Sequence, residues 1–254
     1  MRITSAVAAA CGVMALSALA VPTAHADERY GDTDITSVVV NDGAPVVVGT
    51  AARTVSVEVT ATDPAGLDQI NATLYHGSFG AQNATVASDA ACGPTTDTTS
   101  TCTLTFTLTP GTVPADDALA GTWNVSAYAI SPDSDAVFLD TAATFTVQRE
   151  TLVTADATPE PVKRGRLLTV TGEVRHAGWA TGVHGPAAAG LPVELQFRKA
   201  GCTAYTTLRT VRTAADGTVS TTVRAYTDGS YRWAYAGSSG TAAAVSADDY
   251  VDVR

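Results

Sequence analysis

Aspartates in pairs and triplets are the side chains best placed for chemistry. They are Asp32 with Asp34, Asp63 with Asp68, Asp116 with Asp117, Asp133 with Asp135 and Asp140, and Asp248 with Asp249. All fall in or beside stretches that read as turns. Calcium takes about six to eight oxygens, supplied by loop carboxylates and backbone carbonyls, and turns gathered at one end of a β-structure can bring several together. The densest local set, Asp133, Asp135 and Asp140, is the candidate metal site, and Ca2+ is the cation it would take. None of the sets matches an EF-hand loop. Aspartate also starts turns through local hydrogen bonds, so solvated turn residues are the competing reading.

Other chemistries find little support. Glutamates are few (Glu28, Glu58, Glu150, Glu160, Glu173, Glu194), which leaves a paired-carboxylate glycosidase poorly equipped. Gly77-Ser78-Phe79-Gly80 and Gly237-Ser238-Ser239-Gly240 lack the spacing of a serine nucleophile elbow. No phosphate-binding glycine loop, dinucleotide fingerprint or HExxH motif occurs. His176 and His184 flank Trp179 in a Gly/Ala-rich stretch and could imitate a metal site with Cys202. Without a ligand-spacing motif they read, with His76, as surface loop histidines. The expectation is a non-enzyme with no catalytic residues and no cofactor other than calcium.

Tyr231, Trp233 and Tyr235 alternate and so face one side of one strand. Exposed, they would make a sugar-binding platform; inside, they would fill a core, which needs aromatics of this size. The core is the preferred reading. Trp123 and Trp179 carry the same ambiguity.

The elements that must position these groups are strands. Val55, Val57, Val59 and Ala61 alternate with polar residues, as do Leu104, Phe106 and Leu108, then Leu168, Val170, Gly172 and Val174, then Val193, Leu195 and Phe197. That two-residue period, in Thr-, Val- and Tyr-rich runs, marks half-buried strands. Turn signals such as Asp63-Pro64-Ala65-Gly66, Ser131-Pro132-Asp133, Asp216-Gly217 and Asp228-Gly229 separate them. The fold class is therefore all-β: two immunoglobulin-like β-sandwich domains in tandem, over residues 27–149 and 150–254, with seven or eight strands and then about seven. Only a few residues separate Val147 from Leu152, so the two units should sit end to end with restricted bending.

Residues 1–26 read as a signal peptide. Arg2 precedes an apolar run that closes at Ala24-His25-Ala26, an A-x-A cleavage site that would leave Asp27 as the first residue. Cys11 lacks the large aliphatic residue that a lipobox needs ahead of it. No later stretch approaches the ~20 apolar residues of a membrane-spanning helix. The expected location is extracellular, where Cys92 and Cys102, with nine residues between them, should pair as a disulfide. Cys202 is left over and is expected to be buried as a small apolar residue.

Charge divides at the same boundary. Residues 27–150 carry a net charge of −13 with no lysine, and residues 151–254 a net of +2. The first half would repel nucleic acid and anionic membranes. Partners are expected among extracellular proteins or cell-wall components, with no nucleic acid, no membrane insertion and a monomeric chain.

Several phrases carry a family resemblance. In the second half they are Leu191-Pro192-Val193-Glu194-Leu195-Gln196-Phe197-Arg198-Lys199, Tyr205-Thr206-Thr207, Asp228-Gly229-Ser230-Tyr231-Arg232-Trp233 and the terminal Asp249-Tyr250-Val251-Asp252-Val253-Arg254. Val38-Val39-Val40-Asn41, Val46-Val47-Val48-Gly49-Thr50 and Leu74-Tyr75-His76-Gly77 extend it into the first half. The chain is similar to a secreted actinobacterial family of tandem immunoglobulin-like proteins, often labelled calcium-binding. The resemblance implies a bacterial, extracellular, interaction or structural protein; no site residues transfer with it.

Overall fold

The computed structural model describes residues 27–254, so the expected signal peptide lies outside the described residues. The first unit holds nine strands: β1 (Glu28–Tyr30), β2 (Asp34–Val40), β3 (Val46–Val48), β4 (Arg53–Thr62), β5 (Gln69–Ser78), β6 (Ala81–Ala87), β7 (Thr99–Leu108), β8 (Gly121–Ile130) and β9 (Ala136–Arg149). One sheet runs β2-β4-β7, and the other β1-β9-β8-β5-β6, with β3 added in parallel to β9. Strands β4 and β7 pair without interruption over ten positions, from Arg53 opposite Leu108 to Thr62 opposite Thr99. Their alternation sends Val55, Val57, Val59, Ala61, Leu104, Phe106 and Leu108 inward, all essentially buried. Thr101, Thr103, Thr105 and Thr107 point outward, where β-branched hydroxyl residues suit a wet pleated face. From the facing sheet Leu74, Trp123, Val125 and Ala129 close the core, each large apolar chain contributing about 1.5–3 kcal/mol.

The second unit holds β10 (Thr151–Val153), β11 (Asp156–Thr158), β12 (Leu167–Gly178), β13 (Val183–Pro186), β14 (Pro192–Lys199), β15 (Thr206–Arg212), β16 (Thr218–Arg224), β17 (Gly229–Tyr235), β18 (Ala244–Val245) and β19 (Asp249–Val251). Strand β12 pairs with β10, β11, β13 and β16, while the facing sheet runs β15-β14-β17 with β18 and β19 on β17. Each unit thus sets two mostly antiparallel sheets face to face, three strands against six in the first and five against five in the second, the layering of an immunoglobulin-like sandwich. Nine and ten strands exceed the expected counts because several are pieces of two or three residues, too short to show a period. Tyr231, Trp233 and Tyr235 lie in the second core, so the aromatic stripe is interior and offers no sugar platform.

Four side chains depart from expectation. Cys202 is a free, exposed thiol in the turn after β14, because a tight turn has no interior to offer. His176 is buried on β12, His184 lies half-buried on β13 and His76 half-buried on β5; none is a surface loop histidine. Trp179, in the turn following β12, is packed in the core of the first unit, with Ala177 beside it. The Gly/Ala-rich stretch around Trp179 therefore belongs to the junction.

Candidate functional site

Asp135 is brought beside Asp32 and Asp63, each offering a carboxylate oxygen within 4.8 Å of the others. Asp32 sits in the turn between β1 and β2, Asp63 in the turn after β4, and Asp135 at the end of the β8–β9 turn. Antiparallel connectivity delivers all three turns to the end of the first unit away from the junction, about 30 Å along β8 from Gly121. Gly31 has φ +70, and a methyl group there would occupy the position of the Asp135 carboxylate. Glycine at 31 is what allows the main chain to approach that group.

The three acids differ in state. Asp63 is buried, and burial pushes its pKa up. Hydrogen bonds from the Thr33 hydroxyl and the Ala65 N–H outweigh that and hold it below the usual carboxylate range. Asp32 is raised, by lost solvation first and then by the charges of Asp63 and Asp135. Its own N–H donates to Asp135 Oδ2 at 3.0 Å. One acid held ionised beside another that resists ionisation is the electrostatic setting a divalent cation would relieve.

Of the expected trio, only Asp135 belongs to this group. Asp133 lies two residues earlier in the same turn, where its Oδ1 meets the Asp135 N–H at 3.4 Å. Asp140 lies farther along β9, where its carbonyl accepts from the Tyr75 hydroxyl at 2.8 Å. Along the sequence Asp32 groups with Asp34, and Asp63 with Asp68. Their common signal was position: three turns that must share one end of a sandwich. The other acids are used structurally. Asp116 caps the 3-10 turn at Asp117–Leu119 through the Ala118 N–H. Asp34 pairs with Arg29, Asp248 with Arg198, and Asp249 accepts from the Ala157 N–H. Cys92 and Cys102 form the expected disulfide, with Cα atoms 5.9 Å apart, tying the long loop before β7 to a core strand.

The second concentration of polar contacts is the junction. Arg149, the last residue of β9, sends Nε to the Ala177 carbonyl at 2.6 Å and its guanidinium to Asp117 at 2.9 Å. Its N–H donates to Gly240, and its carbonyl accepts from Ala242. Asp117 also accepts from the Trp179 N–H at 2.8 Å, while Trp179 Nε1 donates to the Val48 carbonyl at 3.1 Å. Glu150 meets His184 Nε2 at 2.9 Å. His176 Nδ1 contacts Thr151 Oγ1 at 3.0 Å, its ring 5.6 Å from that of Tyr235.

Among the described residues no helix is long and apolar enough to cross a membrane. No protein-family model matches the chain, and no curated protein matches it either. Solved structures similar to it include the D00-D0 domain of intimin, at 17% identity and TM-score 0.29, over 85% of this chain and 99% of that one. The titin domains z1z2 in complex with telethonin match at 17% identity and TM-score 0.26, over 87% of this chain and 96% of that one. Dimeric latent PorU from Porphyromonas gingivalis matches at 14% identity and TM-score 0.30 over 87% of this chain; the chain spans only 20% of PorU's length.

Proposed function

We propose that the chain is a secreted, non-enzymatic structural or interaction module of bacterial origin. Its two immunoglobulin-like units are locked into one body, and it acts as a monomer that presents its loops to an extracellular protein or cell-wall component. The observation that carries this reading is Trp179: a side chain from the second unit buried in the core of the first, with both its N–H groups bonded across the junction. A module that holds a fixed spacing between its two ends has use for such a plug; a flexible tether has none. The disulfide supports an oxidising compartment. Backbone 15N relaxation tests it: one shared rotational correlation time for both units is expected, and two separate ones would refute the locked arrangement.

A second reading rests on its own observation. The oxygens of Asp32, Asp63 and Asp135 converge within 4.8 Å, which suits one calcium ion with further ligands from turn carbonyls or water. Millimolar CaCl2 should then raise the melting temperature, EDTA should reverse the rise, and Asp135→Ala should abolish it. At a hundredfold excess over the dissociation constant the gain is about 2.7 kcal/mol. An unchanged melting curve removes calcium.

A further inference from the structure

The carboxylate of Asp140 lacks a counter-charge. Its Oδ2 is buried and has no hydrogen-bond partner. The Tyr75 hydroxyl, its neighbour from β5, is directed to the Asp140 main-chain carbonyl and to Thr141 Oγ1 instead. Among the described residues no ion pair includes Asp140. Asp140 itself is only half-buried, but a shielded carboxylate oxygen without a partner calls for a cation or donor.

Asp27 is a chain segment beside this group that could deliver one. Its side-chain Oδ1 accepts the Asp140 N–H at 3.0 Å, so the main chain of Asp27 is held beside Asp140. The ladder of β1 on β9 runs from Tyr30 opposite Ala136 to Glu28 opposite Phe138; one step further sets Asp27 across from Leu139. Two carboxylates then share this edge of β9. Asp27 directly follows Ala24-His25-Ala26.

We propose that Asp140 is a receptor for a primary ammonium group, and that its occupant is the α-ammonium of Asp27 released by cleavage after Ala26. Hydrolysis of the Ala26–Asp27 peptide bond consumes one water. It leaves a carboxylate on Ala26 and an amine on Asp27, protonated at neutral pH. Before cleavage that nitrogen is a neutral amide. Removal of the leader thus creates the charge that fastens β1 to β9, and the processed chain holds its first strand more firmly than the precursor does. The inference rests on the secreted reading for its processing step, and on the geometry at Asp140 for the rest.

The experiment uses residues 27–254 with a free Asp27 amine, and the same chain lengthened by Gly-Ser ahead of Asp27, each with and without Asp140→Asn. With the free amine, Asp140→Asn should lower the melting temperature by several degrees. In the lengthened chain it should leave the temperature unchanged or raise it. Equal losses in both backgrounds overturn the pairing. Should Asp140→Asn unfold both chains, hydrogen exchange on the two unsubstituted chains decides. At least tenfold greater protection at Glu28–Tyr30 is expected with the free amine, and identical protection overturns the pairing. N-terminal sequencing of the exported protein tests processing separately: a start other than Asp27 overturns the occupant while leaving the pairing result standing.

Discussion

Burial holds the imidazole of His176 down at a pKa of about 4, with the Arg149 guanidinium adding to the depression and Asp117 opposing it. In the unfolded chain the same group protonates near its ordinary value of about 6.5. Between those two values the unfolded chain takes up a proton that the folded chain refuses, so stability falls as pH drops through that window. Melting temperature recorded from pH 7 to pH 4.5 should decline, and His176→Gln should flatten that part of the curve. Asp63 acts in the usual carboxylate sense: its folded pKa is lowered, so its contribution is present above about pH 4 and is lost as pH falls through the folded value. Gly31 is the residue that admits the Asp135 carboxylate. Gly31→Ala meets both a left-handed φ and an occupied space, and should cost more than about 1 kcal/mol in urea unfolding. If calcium binds, the same substitution should also remove the melting shift that calcium produces.

Strands and loops carry the next level of consequence. The loop before β7 is closed by Cys92 and Cys102 at a separation of 10 residues. Replacing both with serine should cost roughly 2–3 kcal/mol by chain entropy, read as a lower urea midpoint, provided the loop gains no new contacts. Cys202 lies in an exposed turn, and Cys202→Ser should leave that midpoint within about 0.5 kcal/mol. Alternation made β4 and β7 legible in detail: Val55, Val57 and Val59 and their partners Phe106, Leu104 and Cys102 all face inward. It did not reveal β1, β3 or the pieces β18 and β19, since two or three residues make no period and pairing at those positions is set by where longer strands end.

At the scale of the whole molecule the junction decides behaviour. Trp179 is 1% exposed and belongs to the core of the first unit. Truncating so large a buried side chain costs about 3–5 kcal/mol, here drawn from the contact between units. The intact protein should unfold in one calorimetric transition, and Trp179→Ala should split it in two and lengthen the range of interdomain orientations seen by small-angle scattering. A single unchanged transition in the variant would show that Arg149, Asp117 and the strand passing from β9 into β10 hold the units without the indole. The acidic trio lies in the unit of net charge −13, at the end away from the junction with the unit of net charge +2.

By itself the sequence determined the periodic properties of this protein. Val55 to Ala61 and Leu104 to Leu108 declared which side chains face inward, the spacing of Cys92 and Cys102 declared their pairing, and the absence of any long helical stripe declared an all-β chain. These are local quantities: a strand's two faces and a short loop's closure depend on residues within reach of one another along the backbone. Tertiary structure alone decided which interior an inward residue would join. Trp179 crosses to a core built from residues before 150, His176 is buried between Thr151 and Tyr235, and Asp32 meets Asp135 across a separation of 103 residues. A two-residue period reports inside or outside; it carries no information about which distant turn will arrive at the same end of a sandwich, because that is fixed by strand order and register across the whole sheet.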